Sequence, residues 1–172
     1  MSLRRASISA RACPRNLGTE TEKSEVYRYG YDQCWLVIDR DRWTEKALTR
    51  VQQEARTKKI RIALSNPNFE LWLLLHLSEV EGGKEMTSVA VKARLRRALG
   101  GSYKKTNPPL EQLLVGIEAA CQRAARLDGC DKQQQWPKNP GSRVYLLIRE
   151  LRAAQRGSLT SFTQEHQILD VP

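Results

Sequence analysis

A chain of 172 residues, 40% of them hydrophobic, has room for one domain with a modest core. Lysine and arginine outnumber aspartate and glutamate 29 to 19, and the net charge of +10 argues for a polyanionic partner such as nucleic acid, the alternative being a merely soluble basic protein. No apolar stretch is long enough to span a membrane, and no apolar segment follows Arg4, Arg5, Arg11 and Arg15 as a secretory signal requires. These features indicate no membrane association and a cytoplasmic location. A transit peptide, also rich in Arg and Ser, is the alternative for the first residues. Cys13, Cys34, Cys121 and Cys130 form no CxxC pair, and with two histidines they argue against a zinc site.

Residues 1–30 show no period and read as an irregular lead-in. Cys34 to Ile38 is a continuous apolar run, suited to a strand covered on both faces, and it ends in Asp39-Arg40-Asp41. Thr44 then caps a helix whose Ala47, Leu48, Val51 and Ala55 recur at near-helical spacing, and Arg56, Lys58 and Lys59 close it. Ile60 to Leu64 is a second, β-branched strand, delivering the chain into Ser65-Asn66-Pro67. Strand, helix and strand at this spacing predict a βαβ unit and a parallel sheet. Phe69 to Leu77 is apolar almost all round, as in a buried helix, with Glu70 the exception. A carboxylate there is costly unless paired or employed, although the first turn of a helix lowers the cost.

Glu81-Gly82-Gly83 breaks the chain before a helix over Thr87–Leu99, on which Val91, Leu95 and Ala98 are expected to face the core. After Gly100-Gly101 comes the loop Ser102-Tyr103-Lys104-Lys105. Pro108-Pro109 opens a long helix whose Leu110, Leu113, Leu114, Ile117, Cys121 and Ala124 share a face, ending at Gly129. A loop over 130–142 leads to Ser142, which caps a last helix with Val144, Leu147, Ile148 and Leu151 in one stripe. The domain is read as 31–156, and 157–172 as a loose tail. The fold class is α/β: a small, mainly parallel sheet flanked by helices.

In open parallel sheets, ligands bind at the carboxyl ends of the strands. Asp39, Asp41, Ser65 and Asn66 fall there. Two carboxylates two residues apart can converge on one hard cation such as Mg2+ or Mn2+. The bland alternative is a helix-capping aspartate with a surface ion pair to Arg40 or Arg42. No Walker-type loop is present, so ATP binding by this chain is not expected. His76, on the face of Phe69 and Trp72, reads as a satisfied core histidine rather than a catalyst. Between Lys84 and Lys105 seven basic residues accompany one acid, Glu85. Within that stretch Arg94, Arg97, Lys104 and Lys105 are candidate phosphate contacts, and Tyr103 offers a ring on which a base can stack. A solvated helix face is the alternative.

The segments YDQCWLVIDRDRW, SNPNFELWLLLHL, SYKK and NPGSRVYLLI, in that order from Tyr31 to about Leu151, resemble the RloB family and the related AbiLii-type proteins. The run Ser65 to His76 is the most specific part. The resemblance implies a Toprim-like fold and a role in bacterial phage defence, beside restriction–modification or abortive-infection genes and often an ATPase partner. It implies a magnesium-dependent nuclease in which Asp39 and Asp41 match the metal-binding Asp-x-Asp. Glu70, by its place at the mouth of the second strand, is a further catalytic candidate. The family pattern begins with a strand ending in a Glu-Gly motif. Only Leu17-Gly18-Thr19-Glu20-Thr21-Glu22 echoes it here, so a shortened N-terminus lacking that strand and its glutamate is expected. A non-catalytic nucleic-acid-binding or adaptor subunit is the competing reading.

Overall fold

The computed structural model describes residues 6–7, 34–41, 43–101, 103–129 and 135–167, with side chains of the last helix described through residue 155. Its elements in order are β1 (Ala6–Ser7), β2 (Cys34–Asp39), α1 (Glu45–Thr57), β3 (Ile60–Asn66), α2 (Phe69–Leu77), α3 (Ser88–Ala98), α4 (Leu110–Val115), α5 (Ile117–Asp128), β4 (Gly141–Ser142) and α6 (Val144–Gln167). The sheet order is β1-β2-β3-β4. β2 and β3 are adjacent and parallel, Cys34 opposite Ile60 and Asp39 opposite Ser65. The two-residue strands β1 and β4 pair antiparallel at the edges. The expected βαβ unit is thus present, and the fold is α/β with a small mixed sheet among six helices in the described residues.

Local chemistry sets the boundaries. The Thr44 hydroxyl accepts from the Ala47 N–H at 3.3 Å and starts α1; Thr87 does the same for Ala90 at 3.2 Å and starts α3. α2 forms the centre of the core. Leu71, Leu74 and Leu75 are fully buried, and Trp72 nearly so. Each leucine removed from water contributes about 2 kcal/mol. Trp35 and Val37 from β2, Ala63 from β3, Val80 between α2 and α3, Val91 and Leu95 from α3, Ala120, Cys121 and Ala124 from α5, and Val144, Tyr145 and Leu147 from α6 complete the cluster.

Four features differ from the sequence expectation. The helix expected over 110–129 is two helices, divided at Gly116. A Cβ at Gly116 would lie 2.2 Å from the carbonyl oxygen of His76, so α4 and α5 meet the end of α2 backbone to backbone. Ala98 is exposed, leaving Val91 and Leu95 as the buried stripe of α3. Past Gly157, where a loose tail is expected, the backbone stays helical to Gln167. An apolar stripe reports burial, whereas an established helix extends by one hydrogen bond per added residue without it. Finally, Ala6–Ser7 forms a strand within the stretch read as irregular. Leu17 to Glu22, the faint Glu-Gly echo, lies outside the described residues.

Candidate functional site

β2 and β3 end side by side, and the chain leaving each is held to the other. The Arg40 N–H donates to the Ser65 carbonyl at 2.8 Å and the Asp41 N–H to the Pro67 carbonyl at 2.9 Å. Asp41 has a φ of 29°, in the left-handed region that aspartate tolerates better than most residues. The Asp39 carboxylate accepts from the Phe69 N–H at 2.7 Å. It thereby satisfies one of the unpaired donors at the start of α2, where the helix dipole favours a negative charge.

Glu70 stands one residue further along α2 with its side chain only 3% exposed. The Lys105 ammonium lies 3.6 Å from Glu70 Oε1. Glu70 Oε2 is buried and has no hydrogen-bond partner among the described residues. Burial pushes the Asp39 carboxyl above its ordinary range. The Phe69 N–H opposes that shift, the charge of Glu70 adds to it, Lys105 opposes it and Asp41 adds to it. Burial, followed by the charges of Glu70 and Asp39, likewise pushes the Tyr103 phenol up. Asp39, Asp41, Glu70, Tyr103 and Lys105 therefore share one electrostatic neighbourhood.

Two loops outside this group support it. Ser88 Oγ lies 3.5 Å from Asp41 Oδ1, and the Ser88 carbonyl accepts from Asn68 Nδ2 at 3.4 Å. Asn139 pairs with the backbone of Met86, accepting from its N–H at 2.9 Å and donating to its carbonyl at 3.0 Å. That pairing holds the approach to Ser88. Ser88, Asn68 and Asn139 carry no signal in sequence as a group. Only the N-capping Thr87 next to Ser88 marks the turn.

The other candidates divide. Ser65 and Asn66 are buried at the strand ends, Ser65 Oγ sharing a 2.8 Å hydrogen bond with Ser142 Oγ and Asn66 Nδ2 donating to the Pro137 carbonyl at 3.1 Å. They fasten β3 to β4 and the segment before it. Arg94 donates to the Glu79 carbonyl, while Arg97 and Lys104 are exposed. Tyr103 is half-buried against the core. His76 is buried, its Nδ1–H donating to the Leu113 carbonyl at 2.6 Å, with the ring edge-on to Trp72.

Among the described residues, no group of three or more His, Cys, Asp or Glu is placed to hold one metal ion. The available donors are carboxylate oxygens, the chemistry of hard cations such as magnesium or manganese. No helix is long and apolar enough to cross a membrane among the described residues.

The fold and this cluster define an α/β domain with acidic and basic groups gathered where two parallel strands end. The chain belongs to the RloB-like protein family, whose model matches residues 5–151. The resemblance carried by residues 31–151 is therefore established, and the match begins ahead of β1. No curated protein and no solved structure matches the chain.

Proposed function

We propose that this protein is a magnesium- or manganese-dependent nuclease of a bacterial phage-defence system, with a Toprim-like site acting on nucleic-acid phosphodiesters. The observation that carries this reading is the Glu70 oxygen buried beside Asp39 with no hydrogen-bond partner among the described residues. A buried carboxylate oxygen without a partner is costly, and a hydrated cation relieves it. Magnesium commonly takes one or two carboxylates with water and phosphate oxygens completing its shell, so a three-residue cage is not required. Asp39 and Asp41 would hold the ion, with Glu70 as a helper reaching its water; the ion, when bound, would polarise the phosphoryl group and lower the pKa of water. Lys105 places a positive charge beside the same oxygens and is suited to a phosphate. The exposed Arg97 and Lys104 would track the strand. Cytoplasmic location and an ATPase partner belong to the same reading.

The test is cleavage of DNA and RNA with Mg2+ or Mn2+ by the wild type, Asp41→Ala and Glu70→Gln. Metal-dependent cleavage lost in both variants supports the reading; cleavage that survives both removes these residues from the mechanism. A second reading, a non-catalytic nucleic-acid-binding adaptor, is favoured by the Lys105 ammonium already standing on Glu70. Metal titration separates the two. A rise in Tm with Mg2+ or Mn2+ that disappears in Asp41→Ala/Glu70→Gln supports the nuclease, and an unmoved Tm supports the adaptor.

A further inference from the structure

Along the amino half of β3, and sharing no residue with the carboxylate cluster, is a cavity of about 460 Å3. It lies where the last turn of α1, the amino half of β3 and the first turns of α6 meet. β4 pairs with β3 only at Ser65 and Asn66, so this half of β3 has no strand beside it on that edge among the described residues. Trp35 is four residues before Asp39 on β2, a separation of about 13 Å along a strand. The cavity is therefore a different place from the site above.

Its walls have a marked chemistry. Two tryptophans, Trp35 and Trp136, and four arginines, Arg56, Arg61, Arg143 and Arg149, line it beside one acid, Glu150. The Glu150 carboxylate is already engaged: Oε2 accepts from the Trp35 indole N–H at 3.1 Å, and Oε1 pairs with Arg61. The Arg61 guanidinium also sits 5.6 Å from the centre of the Trp35 ring. Arg143 is held by Asp128 at 3.1 Å. Arg149 lies over the Tyr145 ring at 4.9 Å, and neither it nor Arg56 has a carboxylate within ion-pair distance among the described residues. The Trp136 indole N–H is buried without a hydrogen-bond acceptor among those residues.

We propose that this cavity is a second ligand site, one that binds a nucleoside phosphate. Its volume falls in the range of small-molecule sites. Indole and guanidinium faces stack on a base whatever its identity. Arg56 and Arg149 supply the planar, bidentate donors that phosphate oxygens match, and the unpaired Trp136 N–H supplies one more donor. The same chemistry is presented by a free mononucleotide and by one nucleotide of a single strand.

The experiment follows intrinsic tryptophan fluorescence of the full chain, because two of its four tryptophans line the cavity. The probes are AMP, GMP, CMP and UMP, with adenosine and inorganic phosphate as parts, and a 5′-phosphorylated single-stranded hexanucleotide, all without divalent metal. Saturable quenching by mononucleotides, at least about tenfold tighter than by either part, is expected. Arg56→Ala and Arg149→Ala should each weaken it about tenfold, the worth of a charged hydrogen bond. Glu70→Gln, in the other site, should leave it unchanged, so this outcome is independent of nuclease activity. A hexanucleotide that binds tighter than AMP and competes with it identifies a strand as the source; one that does not identifies the free nucleotide. Should Arg149→Ala lose its cooperative melting, Arg56→Gln on the exposed end of α1 provides the reading. Absence of saturable binding by every probe, or unchanged affinity in Arg56→Gln, overturns the proposal.

Discussion

Lys105, itself largely exposed, sets its ammonium 3.6 Å from a glutamate oxygen of Glu70 that solvent barely reaches. The contact joins the turn after α3 to the first turn of α2. Removing the cation leaves a buried carboxylate with neither charge partner nor hydrogen-bond donor on that side among the described residues. Because Lys105 is exposed, solvent screens much of the pair, and Lys105→Ala is expected to cost about 1 kcal/mol rather than the several of a fully buried pair. Thermal melts of Lys105→Ala, Glu70→Gln and the double variant check this. The double variant should recover most of the single loss, and the coupling should shrink in high salt.

Asp39 links pH to stability. Its folded pKa lies above 3.8, chiefly through burial. For an acid raised in this way, the stabilising contribution is complete below the unfolded pKa and is lost as pH rises through the folded pKa. Asp39→Asn removes the charge and can still accept from Phe69. It is therefore expected to raise Tm relative to wild type at neutral pH, with the gain vanishing towards pH 3.8 and below. Asp39→Ala loses the hydrogen bond to the start of α2 and should cost about 1 kcal/mol. Melting curves across pH distinguish the two variants.

His76 works in the opposite sense. Burial, only partly opposed by the Leu113 hydrogen bond, lowers its pKa below 6.5, and the charge of Arg123 lowers it further. The stability it contributes is present above the unfolded pKa and is lost as pH falls through the folded one. His76→Phe should flatten the acid side of the stability profile while costing about 1 kcal/mol at pH 8 from the lost hydrogen bond. Denaturant midpoints at pH 8 and pH 5 measure both effects.

Gly116 and Gly100 should respond differently to substitution. Gly116 has an ordinary φ of −87° but no space, its missing Cβ overlapping the His76 carbonyl. Gly100 has a φ of +73° and open space around it. Gly116→Ala is expected to cost about 2 kcal/mol by forcing α4 and α5 away from α2. Gly100→Ala should cost about 1 kcal/mol from backbone strain alone, and Gly100→Asn less. Chemical denaturation of the three variants tests the distinction.

Arg97 and Lys104 isolate the nucleic-acid contacts from the carboxylates, which Lys105 does not. If both touch phosphates, Arg97→Ala/Lys104→Ala should reduce the slope of log affinity against log salt by about two units on duplex DNA, without changing sequence preference. Anisotropy titrations at several salt concentrations provide the slope. An unaltered slope would assign the positive charge to solubility.

What was legible in the chain followed from local pattern. The runs Cys34–Ile38 and Ile60–Leu64 around a charged helix announced parallel strands, and Asp39 and Asp41 at a strand end announced a polar site. The pairing of Lys105 with Glu70 was not legible, because the two are far apart in sequence and each has a sufficient local explanation: a basic loop and a dipole-favoured acid. Ser65 and Asn66 read as polar groups awaiting a ligand, whereas Ser142 and Pro137 occupy them, and two-residue strands such as β4 have too few residues to show a period. The arginine-lined cavity was likewise invisible. Its cations come from α1, β3 and α6 and from the residue before α6, each unremarkable in its own segment.

α2 is apolar on every side, and hydrophobic burial has no direction. Such a cylinder can turn about its long axis among leucines with little change in buried area. Its rotational phase must come from polar stops, and they stand at both ends: Asp39 on the Phe69 N–H and Lys105 on Glu70 at one, the His76 ring on the Leu113 carbonyl and Arg123 on the Leu75 carbonyl at the other. Replacing Glu70 and His76 together by leucine would thus leave a protein that still collapses, its central helix held in azimuth by one remaining stop at each end, Asp39 and Arg123.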